Sequence, residues 1–230
     1  MNTHNLPNFI HSLSQNFTPV VSAIFLKEDY VAIDLSETNT ALDSVNVSSS
    51  VEFEDYISEY VKINEAKVAY GGYNEVRGIY RRSTHFNQEN PETERNIHLG
   101  IDIWCNAGTE ILAPLDGKVH SFKNNTNFGD YGPTIILEHE CKGIQFFTLY
   151  GHLSLPSIEK LIIGQAVKAG DVIAYLGDAS VNGDYAPHLH FQVILDMQGY
   201  FGDYPGVSNK KDLEFYLRNC PDPSLLLKIE

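Results

Sequence analysis

The sequence has few cysteines, and their placement excludes a fold held together by disulfides. Three are present among 230 residues, Cys105, Cys141 and Cys220, which is an odd and widely spaced set. A disulfide framework needs an even number at close spacing. The N-terminus also lacks a basic flank followed by an apolar run, so the sequence predicts no signal peptide. Both observations favour a reducing cytoplasm as the location.

Long hydrophobic runs and an excess of basic residues are also missing. The apolar stretch at residues 20–26 is too short to span a bilayer, so we expect a core strand and no membrane partner. Lys and Arg number 16 against 30 Asp and Glu, for a net charge of -14. Such a surface repels phosphates, which excludes nucleic acid as a partner. The remaining composition, 43% hydrophobic and 20% charged, is typical of a globular protein.

The N-terminal third, residues 1–74, is predicted to form an accessory region. A short helix is predicted within residues 9–17 and an extended segment within 20–35. Residues 37–50 are polar and are predicted to form a loop or a linker. Residues 51–61 carry apolar side chains at helical spacing, which indicates an amphipathic helix packed on the main domain. No catalytic constellation is visible in this region.

Residues 75–230 are predicted to form the main domain, which is mainly β. Segment 71–94 is predicted to form a long loop. This loop either forms a wall of a cleft or lies on the surface without a role. Asp116 and Gly117 predict a hairpin turn between strands at 109–114 and 118–122. Further strands are predicted at residues 133–139, 145–153, 164–167, 172–177 and 188–195. The fold class is therefore an antiparallel sheet or barrel-like sandwich with an α+β N-terminal extension.

Two strand-like motifs alternate polar and apolar residues in a way that predicts a metal site. His98, Gly100 and Asp102 share one face of the first, and His188 and His190 share one face of the second. Alternate side chains of a strand point to the same face, so the intervening leucine, isoleucine and phenylalanine residues face the core. Gly100 leaves room between the histidine and the aspartate for an ion.

His98, Asp102 and His190 suit a catalytic zinc ion. Zinc accepts histidine nitrogen and carboxylate oxygen, and a catalytic site keeps three protein ligands and an open position. Such a mixed set also accepts other divalent metals, with zinc as the first choice. Cys105 lies on the apolar face by strand parity, so we expect it in the core rather than on the metal.

Two further histidines complete a candidate hydrolytic site. His188 shares the face of His190, and His152 lies on a third predicted strand. Neutral imidazoles beside an activated water accept its proton or stabilise the developing oxyanion. The pattern does not divide these two roles between His152 and His188. Tyr73, Tyr80 and Arg81, upstream of the metal strand, are expected to line the groove.

The motifs resemble the three signatures of the M23 zinc metallopeptidases, of the lysostaphin and LytM type. The signatures are His98-Leu99-Gly100-Ile101-Asp102, Tyr150-Gly151-His152-Leu153 and Pro187-His188-Leu189-His190-Phe191. The resemblance covers about residues 95–197. It implies an antiparallel β core with an open groove, and zinc held by His98, Asp102 and His190. It also implies catalytic roles for His152 and His188 in hydrolysing peptide bonds, typically of peptidoglycan.

Three features set this chain apart from the typical family member. The chain shows no export signal, and Gln192 stands where many members carry glutamate beside the ligands. The flanks resemble one subgroup, an M23-like module that accompanies a kinase-like domain and a class III aminotransferase domain. The segments that carry this likeness are residues 71–77, 95–98 and 219–223.

The leading hypothesis is a zinc-dependent hydrolase that cleaves an amide bond of a peptide or peptidoglycan-like substrate. One alternative is a zinc-bearing module that binds a ligand without cleaving it. Another is a cytosolic hydrolase of the same mechanism that acts on a small metabolite. A lipoyl or biotinyl carrier is disfavoured, because Lys118 and Lys168 lack the sequence context of a carrier lysine.

Overall fold

A computed structural model describes residues 6–83, 86, 90 and 92–229. The described residues contain twelve strands. They are β1 (Tyr30–Ala32), β2 (Val68–Gly71), β3 (Ile97–His98), β4 (Ile101–Trp104), β5 (Glu110–Leu112), β6 (Gly117–Asn125), β7 (Gly132–Cys141), β8 (Ile144–Gly151), β9 (Ala166–Val167), β10 (Val172–Tyr175), β11 (His188–Ile194) and β12 (Val207–Ser208). The α-helices are α1 (Leu6–His11), α2 (Ser50–Ile63), α3 (Pro156–Glu159), α4 (Leu213–Asn219) and α5 (Ser224–Leu227). No described helix has both the length and the apolarity to cross a membrane.

One eight-stranded sheet organises the molecule, in the order β1-β2-β4-β11-β8-β7-β6-β9. Neighbouring strands run antiparallel except β1 and β2, which are parallel, so the sheet is mixed. Two small sheets, β10-β5 and β12-β3, complete the strands. The mainly β prediction is confirmed.

Strand β11 passes through the middle of the molecule and is buried along its whole length. Leu189, Phe191 and Val193 pack into the main hydrophobic core. The alternate residues include His188 and His190, which face a cavity rather than that core. The alternation predicted from the sequence is therefore present, with covered surfaces on both sides of the strand.

The predicted hairpin around Asp116 and Gly117 is wrong. Strand β5 pairs with β10, while β6 pairs with β7 and β9. The Asp116 carboxylate accepts hydrogen bonds from the Ala169 amide and the Lys168 ammonium group, which directs the chain from one sheet to another. Strands β9 and β10, which correspond to the predicted strands at 164–167 and 172–177, likewise belong to different sheets. A turn dipeptide marks a reversal without choosing the partner strand.

The segment predicted to bind metal, residues 98–102, belongs to two strands, where the sequence predicted one. Strand β3 ends at His98 and β4 begins at Ile101. Between them the Leu99 amide donates to Gly206 O, and the Leu99 side chain packs in a separate cluster with Ile136. Ile101 packs in the main core. The break turns His98 and Asp102 toward each other across Gly100.

The N-terminal region contains more regular structure than predicted. Helix α2 confirms the predicted amphipathic helix, whereas α1 ends well before residue 17. The predicted linker at 37–50 contains a 3-10 helix, Thr40–Ser44, and a second one, Lys27–Asp29, interrupts the predicted extended segment.

Strands from both sides of residue 74 share the large sheet, because β2 pairs with β4. The predicted division into regions 1–74 and 75–230 stays a prediction. Part of the predicted loop at 71–94, including His85, lies outside the described residues. The described part contains a 3-10 helix, Gly78–Arg82.

Helix α2 offers a test of how this region is attached. Phe53 is 5% exposed and packs in a cluster with Trp104, whereas Val51 on the same helix is 67% exposed. Phe53→Ala is expected to lower the free energy of unfolding by about 3–5 kcal/mol through loss of buried area and a residual cavity. Val51→Ala, the matched control, should change it by less than about 0.5 kcal/mol. Urea denaturation measures both, and equal effects would contradict the packing.

Candidate metal centre

Pairing between β4 and β11 brings three ligand side chains together. Asp102 stands directly opposite His190 in the antiparallel register, and His98 reaches the same point from the end of β3. The ligand atoms of the three residues lie within 4.8 Å of one another, and all three residues are buried. The structure therefore brings together the three side chains that the sequence singled out.

Gly100 makes this convergence possible. A Cβ atom at this position would lie 2.7 Å from Cε1 and Nε2 of His190, and 2.7 Å from Phe191 O. The space left by the missing side chain is thus occupied by the His190 ring. A side chain at position 100 would displace a ligand.

Hydrogen bonds to fixed acceptors determine which nitrogen of each ligand histidine carries the proton. His98 Nδ1 lies 3.0 Å from Gly72 O, and a carbonyl only accepts, so Nδ1 donates and Nε2 keeps a lone pair. His190 Nε2 lies 2.9 Å from Gln192 Oε1. The Gln192 amide nitrogen donates to Pro205 O, which leaves its oxygen to accept from His190. The His190 lone pair is therefore on Nδ1.

These two lone pairs point at one another, which is repulsive. A cation between the two nitrogen atoms would remove the repulsion. His98 Nε2 lies 2.8 Å from His190 Nδ1. Asp102 Oδ1 lies 3.3 Å from the former and 3.2 Å from the latter. Tetrahedral zinc with bonds of roughly 2.0–2.1 Å separates its ligand atoms by about 3.3 Å. The donor set fits a zinc ion, and the two spacings that involve Asp102 match this value.

Burial and neighbouring charge prepare the ligands to bind a metal at neutral pH. Burial lowers the pKa of His98 to about 4. Burial raises the pKa of Asp102, but His98 and Arg77 outweigh that effect and hold it well below its usual range. Metal binding requires neutral imidazole and ionised carboxylate. Both are the favoured states in this site.

His152 and His188 form a pair beside the ligands. Each donates its Nδ1 proton to a backbone carbonyl at 2.7 Å, His152 to Asn182 O and His188 to Ala186 O. Their ring centroids are 4.2 Å apart, and His188 Nε2 lies 3.8 Å from Asp102 Oδ1. Burial lowers the pKa of both rings, and for His152 the neighbouring His188 lowers it further. Each Nε2 is thus an unprotonated acceptor.

These five side chains line one cavity of about 370 Å³. Its walls come from the N-terminal region, the 3-10 helix Gly78–Arg82 and two loops; they include Leu35, Phe53, Tyr80, Arg81, Tyr131, Tyr185 and Pro205. The groove-lining prediction is right for Tyr80 and Arg81. For Tyr73 it is wrong, because the Tyr73 hydroxyl donates to Cys220 O instead.

Sequence reasoning assigned no role to Arg77, which is a close neighbour of the ligands. Its guanidinium pairs with Asp102 and Glu75 and is 4% exposed. The signal available in the sequence was that Arg77 is the basic residue of segment 71–77, which begins with two glycines and precedes the motif at residues 98–102. Cys105 packs against the main core, and burial raises the pKa of its thiol to about 12, which agrees with the prediction that it is not a ligand.

The hydrogen bonds predict an unequal set of tautomers in the metal-free protein at neutral pH. His98, His152 and His188 should carry their proton on Nδ1, and His190 should carry it on Nε2. Long-range proton–nitrogen NMR correlations distinguish the two forms. His190 in the Nδ1–H form would contradict the Gln192 contact, and with it the identity of the ligating nitrogen.

Gly100→Ala tests the steric argument. The added methyl group must push the His190 ring aside, so zinc affinity should fall at least about tenfold, as disturbed ligand positioning usually causes. Gly78→Ala is the matched control, because a Cβ there meets no atom within 4 Å. Isothermal titration measures both affinities, and an unchanged value for Gly100→Ala would be inconsistent with this packing.

Comparisons with known proteins converge on the same part of the chain. Residues 96–200 match the family model described as Peptidase family M23. An uncharacterized metalloprotease of Haemophilus influenzae is 34% identical over 111 residues, 48% of this chain and 21% of that protein. The glycyl-glycine endopeptidase ALE-1 of Staphylococcus capitis is 36% identical over 95 residues, 41% of this chain and 24% of that protein. Matched segments thus span between about a fifth and a quarter of these two relatives.

Solved structures were also compared with this chain. The catalytic domain of lysostaphin from Staphylococcus simulans matches 53% of this chain and 80% of its own, with 28% identity and a TM-score of 0.37. The four histidines and the aspartate of the cavity all lie within the segment matched by the family model. Residues 96–200 are therefore similar to peptidase family M23.

Proposed function

We propose that this protein is a zinc-dependent hydrolase that cleaves an amide bond of a peptide substrate. The observation that carries the proposal is the convergence of three unprotonated ligand atoms beside two further neutral imidazoles in one cavity. The relatives support it, since their names describe a metalloprotease and a glycyl-glycine endopeptidase.

The metal would be held by His98 Nε2, His190 Nδ1 and Asp102 Oδ1. Three ligands of this kind leave a position for substrate and solvent, as in catalytic zinc sites. A bound zinc ion supplies Lewis acidity, which polarises a carbonyl group and activates a water molecule. The outer contacts from Gly72 O and Gln192 Oε1 hold the two imidazoles in the ligating orientation.

His152 and His188 would handle the proton. Each Nε2 is free to accept, because the Nδ1 proton is committed to a carbonyl. With ring centroids 4.2 Å apart, a charge on one ring opposes protonation of the other, so the pair carries one proton at a time. That proton is taken from the attacking water and returned to the leaving amine nitrogen as the carbon–nitrogen bond breaks.

A peptide or peptidoglycan-like chain is the substrate that the relatives suggest. The name of ALE-1 points to glycine–glycine bonds, and lysostaphin is also among the matches. A second candidate is a small metabolite with an amide bond. The observation that favours it is the cavity wall formed by N-terminal residues such as Leu35 and Phe53, around a volume typical of small-ligand sites. A role beside kinase-like and aminotransferase domains stays a prediction.

His98→Ala tests the metal assignment. Loss of one of three ligands should abolish stoichiometric zinc binding and, with it, hydrolysis of glycine-rich and stem peptides. His120→Ala is the control, because His120 lies outside the cavity lining and should retain both properties. Atomic absorption and peptide-cleavage assays measure them. Full zinc content and full turnover in His98→Ala would show that the assignment is wrong.

His152→Ala and His188→Ala separate a hydrolase from a binding module. Each variant should keep its zinc but lose about 10²–10⁴ in kcat, because a general acid–base group is gone. Treatment of the wild-type protein with EDTA should abolish cleavage, and added zinc should restore it. If the zinc-loaded wild-type protein cleaves neither peptides nor small amides, the non-catalytic binding module is the better description.

A further inference from the structure

We propose that Arg77 is a positioning residue of the metal centre, which reserves one oxygen of Asp102 for the metal. The inference rests on the proposed function, because it concerns the same metal site. It assigns to this chain a third outer contact of the ligands, besides those made by Gly72 and Gln192.

The two oxygens of Asp102 have different partners. Oδ2 accepts a hydrogen bond from a terminal nitrogen of Arg77. Oδ1 is directed at the ligating nitrogens, 3.3 Å from His98 Nε2 and 3.2 Å from His190 Nδ1. A carboxylate otherwise free to bind through both oxygens is thus confined to one. Arg77 would therefore leave only Oδ1 available to a bound metal ion.

Arg77 is itself held in place from several directions. Its Nε donates to Glu75 Oε2 at 2.5 Å, and its backbone amide donates to Asn96 O at 2.9 Å. Glu75 is anchored in turn, because its other oxygen accepts from the Leu35 amide at 3.0 Å. The guanidinium is therefore fixed between two carboxylates. A planar fork with separated donors is suited to this bridging, whereas a lysine ammonium group acts as a single point charge.

Gly72 serves both His98 and Arg77. Its φ of +103° lies in a region that glycine adopts readily, and its carbonyl accepts from His98 Nδ1. A Cβ there would lie 1.9 Å from the Arg77 guanidinium and 3.0 Å from His98 Nδ1. The segment 72–77 thus supplies outer contacts to two of the three ligands. Residues of this segment contact His98 and Asp102 directly, which suits a role in positioning these two side chains.

Electrostatics also argue against a purely structural role. A buried ion pair adds little net stability, because desolvation of the charges offsets their attraction. A guanidinium beside a divalent ion repels it as well, although Glu75 and Asp102 compensate. The arrangement instead draws negative charge from Asp102, which leaves a bound ion more electrophilic. That effect would appear in turnover, in addition to the loss of stability that follows when Asp102 and Glu75 lose a buried partner.

Arg77 also lies near one of the two proton-handling histidines. Its guanidinium carbon is 5.5 Å from the centre of the Trp104 ring. Trp104 stacks on His188 with ring centroids 5.6 Å apart and an interplanar angle of 24°. Displacement of Arg77 would therefore disturb both Asp102 and the support of His188. We expect the effect on kcat to exceed the effect on KM.

Cobalt substitution tests the proposal without depending on activity. The Co²⁺-loaded wild-type protein is compared with Arg77→Met, Arg77→Lys and the control Arg218→Met, whose side chain is 64% exposed on α4. In Arg77→Met the freed Asp102 oxygen raises the coordination number, which weakens the visible absorption of Co²⁺. Its kcat with zinc should fall about 10–100-fold, with KM changed less than about threefold. Arg77→Lys should recover part of the Co²⁺ absorption and part of kcat. Arg218→Met should match the wild-type protein in both.

Two results would overturn the proposal. One is a folded Arg77→Met protein whose Co²⁺ spectrum and kcat match those of the wild type. If Arg77→Met does not fold, Arg77→Lys decides, and a wild-type spectrum there shows that the arginine fork is not needed. Failure of the wild-type protein to take up Co²⁺ or Zn²⁺ would instead remove the proposed function, so the two failures are distinguishable.

Discussion

The site depends on the register between β4 and β11. Antiparallel pairing places Asp102 opposite His190, and a shift of β11 by one residue would turn His190 to the other face of the sheet, away from Asp102. The same register seats Leu189 and Phe191 in the main core. Core packing and metal ligation are therefore specified together. Burial of the apolar face holds the ligands in place without any metal–ligand bond.

Backbone carbonyls and one amide side chain then determine the chemical state of the site. Three histidines donate Nδ1 to carbonyl oxygens, and His190 alone donates Nε2, to Gln192. Because a carbonyl accepts but does not donate, these contacts fix the tautomer of each buried ring. Neutral Gln192 makes the contact through an acceptor oxygen just as a glutamate would, without adding a negative charge. The exchange is compatible with a metal ligand at His190.

The N-terminal region takes part in the site in two ways. Its residues wall the cavity, and the Leu35 amide anchors Glu75, which in turn holds Arg77 against Asp102. Strand β2 pairs within the large sheet directly before residues 72–77, which include Glu75 and Arg77. An extension that looks accessory in the sequence therefore adjoins the ligands themselves. This arrangement couples the shape of the cavity to the geometry of the metal site.

The sequence by itself determined the mainly β class, helix α2 and the ligand candidates, since strand and helix periodicity are local properties. It placed His98, Asp102, His152, His188 and His190 in one functional group through the motifs that carry them. Strand pairing was beyond it, as the Asp116–Gly117 turn shows, because a turn signal does not select a distant partner. The break between β3 and β4, the tautomers and the place of Arg77 were decided only by the tertiary structure. Each of these depends on contacts between residues far apart in the chain, such as Gly206 with Leu99 and Arg77 with Asp102, which no local pattern encodes.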